Sequence, residues 1–353
     1  MPLEHGTISK EEPAMSQTIA MPGAVDADEE AIPGLDLGPY LAGEAGALEA
    51  LAAEMRHVCE NIGFFYVRNH GVDQGLVDRA FDASRRFHAL PLERKKEIPL
   101  DMNNVGYMPV NASMQRHSKV ETARRPNYNA SFFCKRDRTP DDPDVIAGKP
   151  FRGLNQWPRD VPGFREDVLA YAAAAEALGM KLLPVVARAL DLPADFFAPL
   201  FNPAQFALRL LHYPPRDEAE PEQFGTGAHT DGGFLTLLVQ NGVGGLQIRR
   251  TDGVWMNAPV LPGRFLVNSG DIMRRWTNER FLSTPHRVLN TSGTERYSMA
   301  FFFDPHLDRV LECLPSCTGP GNPPKHPPTT YGDYLTEFLN ANYFNRTRAA
   351  APG

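Results

Sequence analysis

The period of the apolar positions changes along this chain, and the change divides it. Residues 32–37 read as a short strand, and residues 44–61 place Leu48, Leu51, Ala52, Met55 and Val58 at helical spacing. An apolar strand, Gly63-Phe64-Phe65-Tyr66-Val67, is turned out by Asn69-His70-Gly71. Asp73 is placed to cap the next helix, whose face carries Leu76, Val77, Ala80, Phe81, Ser84 and Phe87. A short charged helix over 91–97 reads as a solvated surface. Residues 101–160 have no sustained period beyond the strand-like Ser131-Phe132-Phe133. Residues 164–190 predict one long helix with Val168, Leu169, Ala172, Ala175, Leu178, Leu182 and Val185 on one side and Pro184 inside it. From Phe206 to Asp304 the pattern becomes about eight short strands separated by Gly, Pro, Asn and Asp, and a last helix covers 331–343.

That order predicts an α+β protein. The strands suit a jelly roll (a double-stranded β-helix), two packed sheets with a cavity between them, flanked by helices, with the long helix backing a sheet. Residues 1–30, rich in Glu, Ala, Pro and Ser, read as a disordered tail, and Met15 is an alternative start. Residues 31–160 form an N-terminal region of helices, short strands and pocket loops, and residues 161–345 the jelly-roll core with its backing and C-terminal helices.

Composition narrows the setting. With 353 residues and 42% hydrophobic positions, the chain can bury the core of one large domain or two ordinary ones. A net charge of −7 argues against nucleic-acid binding, which needs a clustered basic surface. Cys59, Cys134, Cys313 and Cys317 make no secreted disulfide framework. Cys313 and Cys317 lack the second pair that a zinc clip needs, so free thiols in a cytoplasmic protein are the better reading. The start has no apolar signal core, and Glu176 and Lys181 break the most apolar helical stretch, so no membrane span is expected.

The candidate chemistry lies in Gly227-Ala228-His229-Thr230-Asp231-Gly232-Gly233, at the head of an apolar, β-branched run. Side chains at i and i+2 of a strand share a face, so His229 and Asp231 can reach one ion. An imidazole and a carboxylate are two of the three ligands of the 2-His-1-carboxylate set that suits non-haem Fe(II), and His286 in Ser283-Thr284-Pro285-His286-Arg287-Val288 is a candidate for the third. Arg296 and Ser298 follow ten residues later, again at i and i+2. Each part alone is common in proteins that bind no metal; the ordered set is not.

With the intervening T-L-L-x-Q, G-G-L-Q-I, N-S-G-D and W-T-N segments, this set resembles the iron- and 2-oxoglutarate-dependent oxygenases, in the branch of isopenicillin N synthase and the plant flavonoid and gibberellin oxygenases. The resemblance spans roughly residues 30–345 and includes Ile62 through Val72. It implies Fe(II) held by His229, Asp231 and His286, with 2-oxoglutarate and O2 as cosubstrates. Arg296 and Ser298 would take the far carboxylate of 2-oxoglutarate, and Tyr213 would donate a hydroxyl. Leu211 stands where the plant enzymes commonly have Asn, so contacts on that side are expected to differ.

Residues 101–160 would form part of the substrate wall, with Tyr107 and Phe303 as the expected substrate-facing aromatics. The Asn268-Ser269-Gly270-Asp271 run reads as a turn without chemical role, His70 as a turn residue, and Arg124-Arg125 as a solvated pair. The implied reaction is oxidation, chiefly hydroxylation, of a small organic molecule, with release of succinate and CO2. A 2-oxo-acid-independent oxidase and an ethylene-forming enzyme would keep the same iron site. A ligand-binding protein with a dead metal site is the non-enzyme alternative.

Overall fold

Two β-sheets face each other, and the helices cover the outer side of the larger one. The computed structural model describes residues 24–26, 31–115, 118, 120, 121, 123–215 and 223–342. In chain order the first half gives β1 (Ala24–Asp26), β2 (Gly34–Asp36), α1 (Gly38–Leu41), α2 (Ala47–Asn61), β3 (Phe64–Arg68), α3 (Gln74–His88), α4 (Leu92–Lys95), β4 (Gly106–Met108), β5 (Ala130–Lys135) and α5 (Pro143–Ile146). The long helix α6 (Phe164–Ala189) follows. Eight strands then run from β6 (Gln205–Tyr213) through β7 (Thr226–His229), β8 (Leu235–Gln240), β9 (Leu246–Arg249), β10 (Trp255–Asn257), β11 (Phe265–Ser269) and β12 (His286–Val288) to β13 (Arg296–Asp304), with α7 (Asp271–Trp276) between β11 and β12. The described residues end with β14 (Val310–Leu311), β15 (Thr329–Thr330) and α8 (Tyr331–Asn342).

The smaller sheet has the order β1-β10-β9-β12-β7 and the larger β2-β3-β11-β8-β13-β6-β5-β4. This is the expected α+β double-stranded β-helix. Strands β2–β5 of the N-terminal region belong to the same large sheet as the core strands, so the sheet runs across the boundary near residue 160. The expectation of a structureless tail through residue 30 fails at Ala24–Asp26, which pairs in parallel with Trp255–Asn257; the Asn257 amide also donates to Asp26 at 2.8 Å. The rest of that tail lies outside the described residues.

Strand alternation sorts the apolar residues into two cores. On the outer face of the large sheet, Tyr297, Met299, Phe301 and Phe303 of β13 pack with residues of α2, α3 and α6. Between the sheets, Phe64, Tyr66, Leu211, Tyr213, Ile248, Val288 and Ala300 form the second core. The Asp73 carboxylate caps α3 by accepting from the Leu76 amide at 3.1 Å. Helix α6 is apolar and long enough to cross a bilayer, yet it is the backing helix of the sheet, with Val168, Tyr171, Leu178, Leu182 and Val185 buried. At Gly179 of α6 a Cβ would sit 2.7 Å from the Phe303 ring, so the helix lies tight against the sheet there.

Candidate metal and cosubstrate site

His229 ends β7 and Asp231 follows it by two residues. His286 opens β12 directly across from His229 in the antiparallel register. The ladder therefore joins two ligands separated by 57 positions, and their rings lie 4.3 Å apart. Among the described residues, His229, Asp231 and His286 are the one group of three potential metal ligands, with donor atoms within 4.8 Å of one another. Asp231 Oδ1 lies 3.6 Å from His229 Nε2 and 3.7 Å from His286 Nε2, each below twice a metal–ligand bond of about 2.1 Å. Cys313 and Cys317 enter no such group.

The surroundings set which atoms face the ion. His229 Nδ1 lies 2.8 Å from the Gly227 carbonyl and His286 Nδ1 3.2 Å from the Thr284 carbonyl. A carbonyl only accepts, so Nδ1 carries the proton in both rings and each Nε2 keeps its lone pair for a metal. Burial, then the neighbouring His286, pulls the His229 pKa down to about 4, so the ring is neutral at physiological pH. Asp231 Oδ2 accepts from the Thr236 hydroxyl at 2.6 Å and the Asn268 amide at 2.8 Å, which leaves Oδ1 for the ion. Burial alone would raise the Asp231 pKa, but the two imidazoles and these hydrogen bonds outweigh it and hold the carboxyl below its ordinary range. Asn268 is thus not a mere turn residue: it lies buried within β11, one position before its end, and orients a ligand. The turn behind it needs Gly270, where a Cβ would meet the Gly233 carbonyl at 2.3 Å and that of Asp231 at 2.8 Å.

Farther along the inner face, Arg296 pairs across the ladder with Tyr213, and its guanidinium lies 4.6 Å from that ring's centroid. It is 1% exposed. Nη2 donates to Gln240 Oε1 at 2.7 Å, Nη1 reaches Ser298 Oγ at 3.5 Å, and Nε has no partner. Among the described residues no carboxylate pairs with it. A buried guanidinium with an orphaned N–H and only neutral neighbours is suited to an incoming anion. Ser298 and Tyr213 line the same cavity, and the Tyr213 hydroxyl lies 3.2 Å from Thr226 Oγ1.

Two cavities meet at the triad. The one toward Arg296, of about 60 Å³, also carries Tyr213, Ser298, His286 and Leu211. The other, of about 90 Å³, is lined by Phe133, Arg209, Phe302, Asp304 and, from α8, Tyr331 and Phe338. His229, Asp231, Arg209 and Phe302 border both.

Family comparisons agree with this geometry. The 2OG-Fe(II) oxygenase superfamily model matches residues 204–305, and that of the non-haem dioxygenase in morphine synthesis N-terminal region matches residues 32–160. The chain is 38% identical over 319 residues to the 2-oxoglutarate-Fe(II) type oxidoreductase hxnY of Emericella nidulans, covering 88% of this chain and 90% of that protein. The chain belongs to the 2-oxoglutarate- and Fe(II)-dependent oxygenase superfamily. It is also 31% identical to the homoarginine-6-hydroxylase 2-ODD-C23 of Glycine max, over 90% of this chain and 98% of that one. The crystal structure of full-length Neurospora crassa T7H with alpha-KG and thymine superposes with a TM-score of 0.79 at 26% identity, covering 90% of this chain and 99% of that one. This oxygenase is therefore a 2-oxoglutarate-dependent dioxygenase, with Fe(II) and 2-oxoglutarate as its cofactors and His229, Asp231 and His286 as the facial triad.

Both expected substrate aromatics are displaced. Phe303 is fully buried on the outer face, stacked on Phe201 with centroids 5.0 Å apart, because its parity on β13 is opposite to that of Arg296 and Ser298. Phe302 is the residue that lines the cavities. Tyr107 packs against Phe87 and under the Lys95 ammonium, on the helix side of the edge strand β4, and lines neither cavity. His70 is structural, with Nε2 3.1 Å from the Gly263 carbonyl and Nδ1 accepting from the Val72 amide. Arg124 and Arg125 are exposed and line neither cavity. Arg209, Phe133 and Asn268 are site residues that sequence reasoning missed. Arg209 was within reach, since it lies four positions before Tyr213 on one strand and so on the same face.

Proposed function

We propose that this oxygenase couples decarboxylation of 2-oxoglutarate to succinate and CO2 with hydroxylation of a small organic molecule held in the Phe302 cavity. The observation that carries this reading is the meeting of two cavities at one triad, one ending on a buried, carboxylate-free guanidinium. Arg296 takes the far carboxylate of 2-oxoglutarate through a charge-assisted fork, and Ser298 and Tyr213 add hydroxyl donors. Fe(II), which His229, Asp231 and His286 would hold, would supply the oxidising power to attack an unactivated C–H bond.

The chain's own residues do the rest. The Gly227 and Thr284 carbonyls fix both imidazoles as Nδ1–H tautomers, and Thr236 and Asn268 hold Asp231 so that Oδ1 faces the triad. Phe302, Phe338 and Leu335 give the second cavity apolar walls. A small-molecule substrate is supported by relatives named for homoarginine and crystallised with thymine. Four free thiols support a cytoplasmic location.

The test is an anaerobic titration of apo protein with Fe(II) and then 2-oxoglutarate, following the visible charge-transfer band of the chelate. We expect a band that is absent in His286→Ala and needs far more 2-oxoglutarate in Arg296→Leu, followed by succinate release once O2 and substrate are supplied. Iron binding without the band would move the protein to the 2-oxo-acid-independent oxidases. No iron binding would reject the oxidation reading.

A further inference from the structure

The large sheet carries a second buried guanidinium that the proposed reaction leaves unused. Arg209 shares the inner face of β6 with Tyr213, four positions away, or about 13 Å along the strand. It pairs with Ala300 on one side and Phe133 on the other, between the row that holds Ser298 and the row that holds Phe302. The side chain is 8% exposed. Nε donates to Ser131 Oγ at 2.9 Å and Nη2 to Asn129 Oδ1 at 3.0 Å, and the guanidinium lies 5.0 Å from the Phe133 centroid. Nη1 has no hydrogen-bond partner, and no carboxylate lies within ion-pair distance of Arg209 among the described residues.

Every contact is neutral, and a cation kept this dry without an anion is costly. The two carboxylates bordering these cavities are committed. Asp231 serves the triad, and Asp304 accepts from the Phe234 amide at 2.7 Å and from the Tyr331 hydroxyl at 2.5 Å. The cosubstrate does not need Arg209 either. One end of 2-oxoglutarate would belong to the metal that His229, Asp231 and His286 would hold, and the far carboxylate to Arg296. Ser131 and Asn129 hold the fork of Arg209 in place, so its free edge is preorganised for a planar anion. Around it stand the apolar walls Phe133, Phe302 and Phe338.

We propose that Arg209 anchors a carboxylate of the substrate, and that this oxygenase acts on small carboxylic acids with an apolar, ring-sized body. This rests on the reading of the Arg296 cavity as the 2-oxoglutarate site. The acid group sits on Arg209 and the body lies between the phenyl rings, so the oxidised carbon is the one presented to the triad. Arg209 is a specificity-determining residue with no part in proton or oxygen transfer.

The experiment compares acids with their isosteric amides: benzoate against benzamide, and phenylacetate against phenylacetamide. Binding is read as thermal stabilisation of the anaerobic Fe(II)–2-oxoglutarate enzyme across a concentration series. In the wild type we expect the acids to bind about tenfold tighter than the amides, the gain of a charge-assisted over a neutral hydrogen bond. Arg209→Gln should erase that preference while changing the 2-oxoglutarate requirement by less than about threefold, and Arg209→Lys should keep part of it. Arg296→Gln should do the reverse. Amides that bind as well as acids, acids that do not bind, or an Arg209→Gln enzyme as deficient in 2-oxoglutarate as Arg296→Gln would each overturn the proposal. The wild-type comparison and Arg209→Lys decide it if Arg209→Gln folds poorly. Repeating the comparison on the Fe(II) protein without 2-oxoglutarate separates failure of this anchor from failure of the cosubstrate site.

Discussion

Replacing Arg296 with Leu should produce opposite results with and without 2-oxoglutarate. In the free protein the guanidinium is dry, Nε is unpaired, and burial pulls its pKa down. Arg296→Leu removes that strained charge and loses the 2.7 Å hydrogen bond to Gln240. The two effects roughly offset, so apo stability should move by about 1 kcal/mol or less. With the cosubstrate the variant leaves a buried carboxylate without its partner, at about 2–5 kcal/mol, or about 30- to 5,000-fold in Kd. At a concentration of 100 times the wild-type Kd, 2-oxoglutarate stabilises the wild type by about 2.7 kcal/mol; at the same concentration the variant gains less than about 0.9 kcal/mol. Anaerobic urea unfolding of the Fe(II) protein with and without 2-oxoglutarate reads both numbers. A variant that keeps the 2-oxoglutarate gain to within about 0.5 kcal/mol of the wild type would show that the buried guanidinium serves something else.

Asn268→Ala frees Asp231 Oδ2 of one of its two donors, and iron affinity by competition with a chelator should fall about 10- to 100-fold with the fold intact; unchanged affinity would return Asn268 to a turn role. Phe303→Ala empties a packed site against Phe201 and Gly179 and should cost about 3–5 kcal/mol in urea unfolding, whereas Phe302→Ala should leave stability closer to wild type and raise the substrate KM. Equal stability losses would contradict the face assignment. For the metal-free protein the sign follows from His229, whose folded pKa of about 4 lies below the ordinary 6.5. Its contribution is whole above pH 6.5 and drains away as pH falls toward 4, because the unfolded chain takes up the proton first. Denaturation midpoints between pH 8 and 4 should therefore decline for wild type and decline less for His229→Gln; a midpoint that rises with acid would reverse the reasoning.

Much of the fold was legible because its signals are local. Helix α2 follows from a 3.6-residue period, α3 from that period and an Asp cap, and α6 from the longest apolar face in the chain. The i,i+2 spacing of His229 and Asp231 placed two ligands without any knowledge of partners. What stayed hidden depends on pairing between distant segments. Ala24–Asp26 becomes a strand only because Trp255–Asn257 offers it an edge. Asn268 sits in a run that reads as a turn, and only the pairing of β11 with β8, Asn268 opposite Thr236, brings both donors to Asp231. Tyr107 follows Gly106 in an irregular stretch, and nothing local says that β4 is the sheet's last strand with this ring turned toward Phe87.

The misplacement of Phe303 has a different cause, since the information to avoid it was present. Once Arg296 and Ser298 are assigned to the inner face, alternation forces Ala300, Phe302 and Asp304 inward and Phe301 and Phe303 outward. Register then carries the face across the sheet. Arg296 opposite Tyr213 forces Ala300 opposite Arg209, and Arg209 opposite Phe133 on β5. The inner surface thereby becomes an ordered series of rows. The rows of Arg296 and Ser298 face the cosubstrate cavity, and those of Arg209 and Phe302 border the second cavity as well. Changes in the Arg209 and Phe302 rows should redirect substrate choice while 2-oxoglutarate binding stays in place. A single residue of slip along β13 would exchange every one of these side chains for a residue of the helix-facing core, which is why the parity of one strand governs both halves of the site.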